Sequence, residues 1–259
     1  MSGTHIQQLL DSFSKIGLGD MDDVKLMNRV DTKFVLKTQQ LIDVLPFLSE
    51  YYHVVEISGK TILSYESLYY DNEELDFYHD HHKKRLNRVK IRYRKYLDSD
   101  ISFLEIKHKY KGRTNKMRIP SDDLFDELPQ EHAKFIDDSV DLSFTQDLIP
   151  TLVNNYRRIT LVGKKLNERL TLDIDLSFRK GERTEALDHI AIAELKQVKV
   201  SRKSPFFALM KERQIRPLRL SKYCMGILQL SKTEDVKYNR FKKKLLKIDK
   251  LKGNVANCC

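Results

Sequence analysis

The chain has 259 residues and a mass of 30.6 kDa, enough to bury a large core without disulfide or metal staples. Its 47 Lys and Arg against 37 Asp and Glu leave a charge of +10, while 41% hydrophobic residues with only six prolines exclude a disordered or fibrous chain. Cys224, Cys258 and Cys259 are too few for a disulfide framework and lack zinc-site spacing, and no stretch approaches the roughly 18–20 apolar residues of a membrane span.

Met1–Leu10 has no basic region followed by an apolar run, so the expectation is a cytoplasmic protein with at most peripheral membrane contact. The charge is strongly segregated. It is −5 over residues 1–87, +8 over 88–118, −8 over 121–150, +8 over 151–236 and +7 over 237–252.

Period-two alternation predicts a strand over Asn28–Leu36, with Arg29, Asp31 and Lys33 on one face and Val30, Thr32, Phe34 and Leu36 on the other. Gln39–Tyr51 follows as a helix burying Leu41, Val44, Leu45 and Leu48 despite Pro46. Asp71–Asn87 has Leu75, Tyr78, His82 and Leu86 at helical spacing behind an Asp71 or Asn72 cap, and its His79-Asp80-His81-His82 run reads as a solvated face. Val89–Leu97 separates Lys90, Arg92 and Arg94 from Val89, Ile91 and Tyr93, and Ser102–Tyr110 gathers Phe103, Glu105, Lys107 and Lys109. Lys116 and Arg118 share a face of the next strand, near its end, which suggests a rim. Ser121 before Asp122 and Asp123 reads as a helix start, making 121–150 a small acidic helical insertion.

The second half repeats the alternation. Asn155–Val162 groups Tyr156, Arg158 and Thr160, and a turn at Gly163-Lys164-Lys165 leads to Arg169–Phe178, with Arg169, Thr171, Asp173 and Asp175 opposite Leu170, Leu172, Ile174 and Leu176. Ile190–Val198 brings Glu194 and Lys196 together, and Ser204–Gln214 and Ser221–Leu230 read as helices. In the tail, Phe241, Leu245 and Ile248 form an apolar stripe among eight basic residues, expected to pack on the barrel; an anionic membrane, a membrane-protein partner or a polyanionic product are the other candidates for its lysines. Cys258-Cys259 resembles a double-cysteine prenylation signal but has no trafficking context around it. Short turns between many strands favour an antiparallel sheet. The fold class is α+β, a single domain over 1–236 followed by a basic tail or helix over 237–259.

Crowding cations on one sheet face costs self-repulsion unless a counter-charge sits among them. Arg and Lys in numbers suit phosphate oxygens, and carboxylates among them, chiefly Glu194 with Glu105, suit a hard divalent metal bridging those phosphates. If the sheet closes, these faces line a water-filled tunnel. No Ser-His-Asp or Cys-His set is evident, whereas phosphoryl transfer needs charge neutralisation and positioning more than a protein nucleophile.

Arg29-Val-Asp-Thr-Lys33-Phe, Ile91-Arg-Tyr-Arg94, Leu104-Glu-Ile-Lys107, Tyr156-Arg-Arg158, Arg169-Leu-Thr-Leu-Asp-Ile-Asp175, Glu194-Leu-Lys196 and Ser221-Lys222-Tyr223 follow one another in that order. The series resembles the vacuolar transporter chaperone (VTC) domain, the polyphosphate polymerase branch of the triphosphate tunnel metalloenzymes, over about Asn28–Leu230. The resemblance implies an eight-stranded antiparallel β-tunnel barrel with flanking helices. It also implies ATP and polyphosphate as partners, Mn2+ or Mg2+ as cofactor, and transfer of the terminal phosphoryl group to a growing chain. It assigns catalytic roles to Lys33, Lys107, Arg158 and Lys222, and phosphate binding to Arg92, Arg94, Tyr156 and Arg169. Arg29, Lys109 and Lys196 are further expected phosphate binders, Arg219 stands where the family often has another lysine, and the resemblance gives the metal to Glu194, with Glu105 expected beside it from its residue type.

Three functions use such a lining: a polyphosphate polymerase, a tunnel triphosphatase acting on triphosphate or nucleotide, and a non-catalytic polyphosphate- or nucleotide-binding module. Nucleic acid ranks low, because exposed aromatics do not interleave with the cations and Trp is absent.

Overall fold

The computed structural model describes residues 2–20, 29–111, 113–142, 145–231 and 236–252; Asn28 and Cys258-Cys259 lie outside them. The first half runs α1 (Ser2–Leu10), β1 (Lys15–Ile16), β2 (Val30–Lys37), α2 (Thr38–Tyr51), β3 (Tyr52–Val55), β4 (Ile62–Asp71), α3 (Asp76–Lys83), β5 (Arg88–Tyr96), β6 (Ile101–Tyr110), β7 (Arg113–Ser121) and α4 (Gln130–Ser139). The second runs β8 (Ile149–Gly163), β9 (Glu168–Lys180), β10 (Arg183–Leu187), β11 (Ile190–Gln197), α5 (Pro205–Glu212), α6 (Lys222–Leu230) and α7 (Lys242–Asp249).

Eight strands form one antiparallel ladder in the order β2-β11-β9-β8-β4-β5-β6-β7, with β1, β3 and β10 on its margins. The ladder begins at β2 and ends at β7, and the sheet curls until these walls face each other. Lys116 on β7 lies within electrostatic reach of Arg29 and Asp31, and Lys107 on β6 within reach of Lys33 on β2. The result is the expected α+β tunnel; among the described residues no backbone ladder joins β2 to β7, whose charged side chains lie within electrostatic reach of each other.

Alternation explains the construction. The apolar sides of β2, β8, β9 and β11 face outward onto α2 and α5, where Phe34, Leu36, Leu172 and Leu195 pack with Leu41, Val44, Leu45, Leu48 and Phe206. The α2 stripe is the one its spacing predicts, and Pro46 is accommodated inside the helix. The outward sides of β5 and β6, including Ile91, Tyr93 and Ile106, pack with Ile136 of α4 in a second core. At one end α6 enters the tunnel: the Tyr223 ring packs on Tyr69, tilted by 30° with centroids 5.2 Å apart, and a Cβ on Gly226 would meet Phe178 at 2.6 Å and Leu152 at 3.0 Å. Outside α6 lies α7, with Phe241 and Ile248 buried against it as the tail's spacing predicts.

Four local expectations change. Ser121–Asp123 starts no helix, because the Ser121 hydroxyl donates to the Asp123 carbonyl and the Asp123 carboxylate pairs with Lys95; the helix of the acidic segment begins at Gln130. Helix 71–87 shrinks to Asp76–Lys83, since β4 extends to Asp71, left-handed Lys84 (φ 60°) ends the helix, and Leu86 is exposed. Asp71 still caps it from the strand end, accepting from the backbone N–H groups of Phe77 and Tyr78. The histidine run is not a solvated face: His82 is buried, and Phe241 packs against the rings of Tyr78, His81 and His82. Finally, a bulge in the β8/β9 pairing, with Asp175 at φ 50°, takes Asp175 out of the lining face and pairs it with Arg157.

Candidate active site

Register places the charged faces opposite one another. On one wall Lys33 stands across from Glu194, Asp31 from Lys196, Lys196 from Arg169, and Arg158 from Asp173. On the other, Arg92 is opposite Glu105 and Glu105 opposite Arg118, while Lys90, Lys107 and Lys116 are aligned across three strands. Lys116 and Arg118 are therefore mid-strand lining residues rather than a rim, because β7 runs on to Ser121.

Asp173 is the hub of the first wall. Its carboxylate, 5% exposed, accepts from Arg158 Nε at 2.6 Å, Arg158 Nη2 at 2.9 Å and Lys222 Nζ at 2.6 Å. Burial disfavours its charge, but Arg158 and Lys222 outweigh burial and hold it well below the usual carboxylate range. Ser221 caps α6 by accepting from the Cys224 N–H, which sets the following Lys222 at the helix start.

Tyr156 completes this corner. Its ring stacks on Tyr65 at 5.1 Å and 6°, the Lys222 ammonium lies 3.0 Å from its centroid, and the Arg158 guanidinium lies 5.3 Å away. Its hydroxyl is buried and has no hydrogen-bond partner among the described residues. A buried orphan donor beside two cations is the condition expected where an anionic ligand supplies the missing acceptor.

Glu194 is 16% exposed and lies 3.7 Å from both Lys33 and Lys196, beyond hydrogen-bond distance from either ammonium. Burial opposes its charge, yet Lys196 and Lys33 hold it below the usual range; Lys196, mainly through burial, is pushed down to about 8. Glu105 is engaged more tightly: Arg92 donates from Nε at 2.9 Å and Nη2 at 2.7 Å, and Arg94 Nη1 is 3.5 Å away. Arg92 also donates to the Tyr69 hydroxyl, and Arg94 Nε is buried with no partner among the described residues.

Among the described residues no group of three or more acidic, His or Cys side chains could hold a metal by itself. A divalent ion bound through one carboxylate and completed by substrate phosphate oxygens needs no such cage. Glu194 has the accessible, loosely held carboxylate for that arrangement.

Most expected site residues gather in the lumen: Lys33, Arg92, Arg94, Glu105, Lys107, Tyr156, Arg158, Arg169, Glu194, Lys196 and Lys222. Lys109 sits toward one end of β6 opposite Arg88, and Arg29 flanks the start of β2, paired with Asp31. Arg219 is exposed on the connection into α6, beside Lys244 of α7. Reading residues singly undervalues Lys90, although it shares the alternation of Arg92 and Arg94, and Tyr65, whose role comes from its stacking partner.

The family model of the VTC domain matches residues 28–231, nearly the whole lining and α6. The chain belongs to the VTC-domain family. No curated protein matches this VTC-domain chain. Among solved structures, a candidate adenylate cyclase from Bacillus halodurans aligns at 13% identity and TM-score 0.48, covering 82% of this chain and 100% of that one. A candidate adenylyl cyclase from Hippeastrum, described as having dominant triphosphatase activity, aligns at 15% and 0.46, covering 76% and 94%. A candidate adenylate cyclase from Vibrio parahaemolyticus aligns at 11% and 0.45, covering 76% and 97%. In this VTC domain, no helix among the described residues is long and apolar enough to cross a membrane.

Proposed function

We propose that the protein is a metal-dependent polyphosphate polymerase that transfers the terminal phosphoryl group of ATP to a phosphate chain inside the tunnel. The observation that carries the reading is the Arg158–Asp173–Lys222 corner, with the orphan Tyr156 hydroxyl buried beside it, in a chain of the VTC-domain family. Two cations already fixed by a buried carboxylate lose little side-chain entropy when they meet a phosphate, so the field is organised before the substrate arrives.

In this reading Arg158 and Lys222 share the negative charge that develops between the transferring phosphoryl group and its leaving group. Tyr156 donates its hydroxyl to a phosphate oxygen. Arg92, Arg94 and Arg169 clamp the donor phosphates, with Glu105 orienting the first two guanidiniums. Lys33 and Lys107 neutralise the remaining charge. Glu194 would hold Mn2+ or Mg2+ together with phosphate oxygens, and a bound ion would add charge neutralisation and in-line alignment of those phosphates. No protein nucleophile is needed.

The test is to incubate purified protein with ATP and Mn2+ and size the phosphate products on a gel. Chains longer than triphosphate support the reading. Consumption of ATP with only orthophosphate or pyrophosphate accumulating overturns it in favour of a triphosphatase, and binding without consumption in favour of a binding module.

A further inference from the structure

The histidines of α3 are titratable groups that the tunnel does not use, and the C-terminal tail covers them. Phe241, 7% exposed, lies with its ring centroid 6.0 Å from Tyr78, 6.1 Å from His81 and 5.4 Å from His82. The backbone on either side is tied to the same helix. The Tyr78 hydroxyl donates to the Lys237 carbonyl at 2.8 Å, the Arg240 guanidinium donates to the Lys83 carbonyl at 2.7 Å, and the Arg240 backbone N–H points at His82 Nε2 at 3.4 Å. Beyond Phe241, α7 lays Leu245 and Ile248 against Cys224, Met225 and Leu228 of α6. The tail is a strap: α3 clasps its near end, and its far part bears on the helix that starts with Lys222.

The clasp requires neutral imidazoles. His82 Nε2 accepts from Arg240 only while unprotonated, and a protonated ring must donate from both nitrogens, whereas His79 Nδ1 and His81 Nδ1 are buried with no hydrogen-bond partner among the described residues. Cations outnumber acids around all three. His81 faces Lys90 and Arg88 of β5, Lys107 of β6 and Lys244 of α7. His82 faces Lys237 and Arg240 of the tail and Lys83 of its own helix, with Asn239 the neighbour that favours its charge. His79 faces Lys83, His82 and Lys237, with Asp76 the acid that opposes them. Asp76 already bonds Asn72, and Asp80 pairs with Arg85. Burial, with these cations adding to it, holds the three imidazoles below their usual range, His81 down to about 2.

We propose that the α3 histidines and Phe241 form a proton-operated clasp: at neutral pH the strap is docked over α6, and in acid the imidazolium ions release it, baring the apolar side of α6 and loosening the seat of Lys222. Release returns the rings to water and takes Lys237, Arg240 and Lys244 away from them. Protonation therefore favours the released state, so docking is complete above the free imidazole value of about 6.5 and is lost as pH falls below it. Each histidine that must stay neutral weakens docking by up to about tenfold per pH unit, and two of them lower the docking equilibrium by as much as about 1,000-fold between pH 6.5 and 5.

Hydrogen exchange of the full chain, corrected for intrinsic rates at pH 7 and pH 5, tests the clasp without altering it. The amides of α7 lose protection at pH 5 by about tenfold or more while those of β9 keep theirs. In the His81→Gln/His82→Gln double variant, whose residue 82 still accepts from Arg240 but takes up no proton, α7 keeps its protection at both pH values. Phe241→Trp gives the chain, which has no Trp, a single emitter in the clasp, and its emission shifts to the red over the same range at constant far-UV dichroism. Equal α7 protection at pH 7 and 5, loss of β9 protection alongside α7, or the same loss in the double variant overturns the inference. Where the double variant does not fold, the Phe241→Trp emission decides: no shift between pH 7 and 5 overturns it.

Discussion

Asp173→Asn is the most informative single perturbation. It removes the carboxylate that neutralises Arg158 and Lys222 while keeping its size, leaving two buried cations with a neutral partner. Breaking a buried pair by deleting one partner costs roughly 3–5 kcal/mol. In a chain of this length each kcal/mol moves the midpoint by about 2–4 °C, so the ligand-free variant should melt on the order of 10 °C lower. Differential scanning fluorimetry, with and without inorganic tripolyphosphate, reads this directly. The anion should raise the midpoint of the variant more than that of the wild type, because phosphate oxygens replace the missing carboxylate. The sign with pH is fixed too. Asp173 is depressed in the folded state, so its contribution is complete above the unfolded carboxylate value of about 4 and is lost as pH falls toward the folded value; the gap between the two proteins should therefore narrow below about pH 4. An unchanged midpoint, or equal stabilisation of both proteins by tripolyphosphate, would refute the view that Asp173 stands in for a phosphate.

Glu194→Gln should abolish Mn2+-dependent turnover of ATP in the product-sizing assay while leaving the melting temperature within a few degrees, since its two lysine contacts are long at 3.7 Å. Tyr65→Leu should raise KM for triphosphate with little effect on kcat, by removing the ring on which Tyr156 and Arg158 rest, and Tyr65→Phe should restore it. Gly226→Ala should destabilise by about 1–2 kcal/mol in urea, because the clash with Phe178 and Leu152 exceeds the helix-propensity gain of up to about 1 kcal/mol. Lys90, Lys107 and Lys196 titrate near 8, so phosphate-chain affinity should fall above that pH, and binding at pH 8.5 should take up protons, visible as a buffer-dependent calorimetric enthalpy.

The faces of the strands and the buried stripes of α2 and α7 are fixed locally, by alternation or helical spacing over ten or so residues, and the sequence determines them by itself. The chemistry of the lining follows, because residue type and face are both local properties: Lys33, Arg92, Arg94, Tyr156, Arg158 and Glu194 point the same way for the same reason. Partnership is another matter. Period two says which side of a strand a group is on and nothing about which group stands opposite, so only strand order and register decided that Asp173 takes Arg158 and Lys222, and that three lysines align without a carboxylate. Only the bulge at Asp175 decided that it leaves the face of Asp173, and only the packing of Phe241 decided that the histidines of α3 are covered. Composition reports an excess of positive charge; the three-dimensional arrangement determines which cations already have a counter-charge and which still need one.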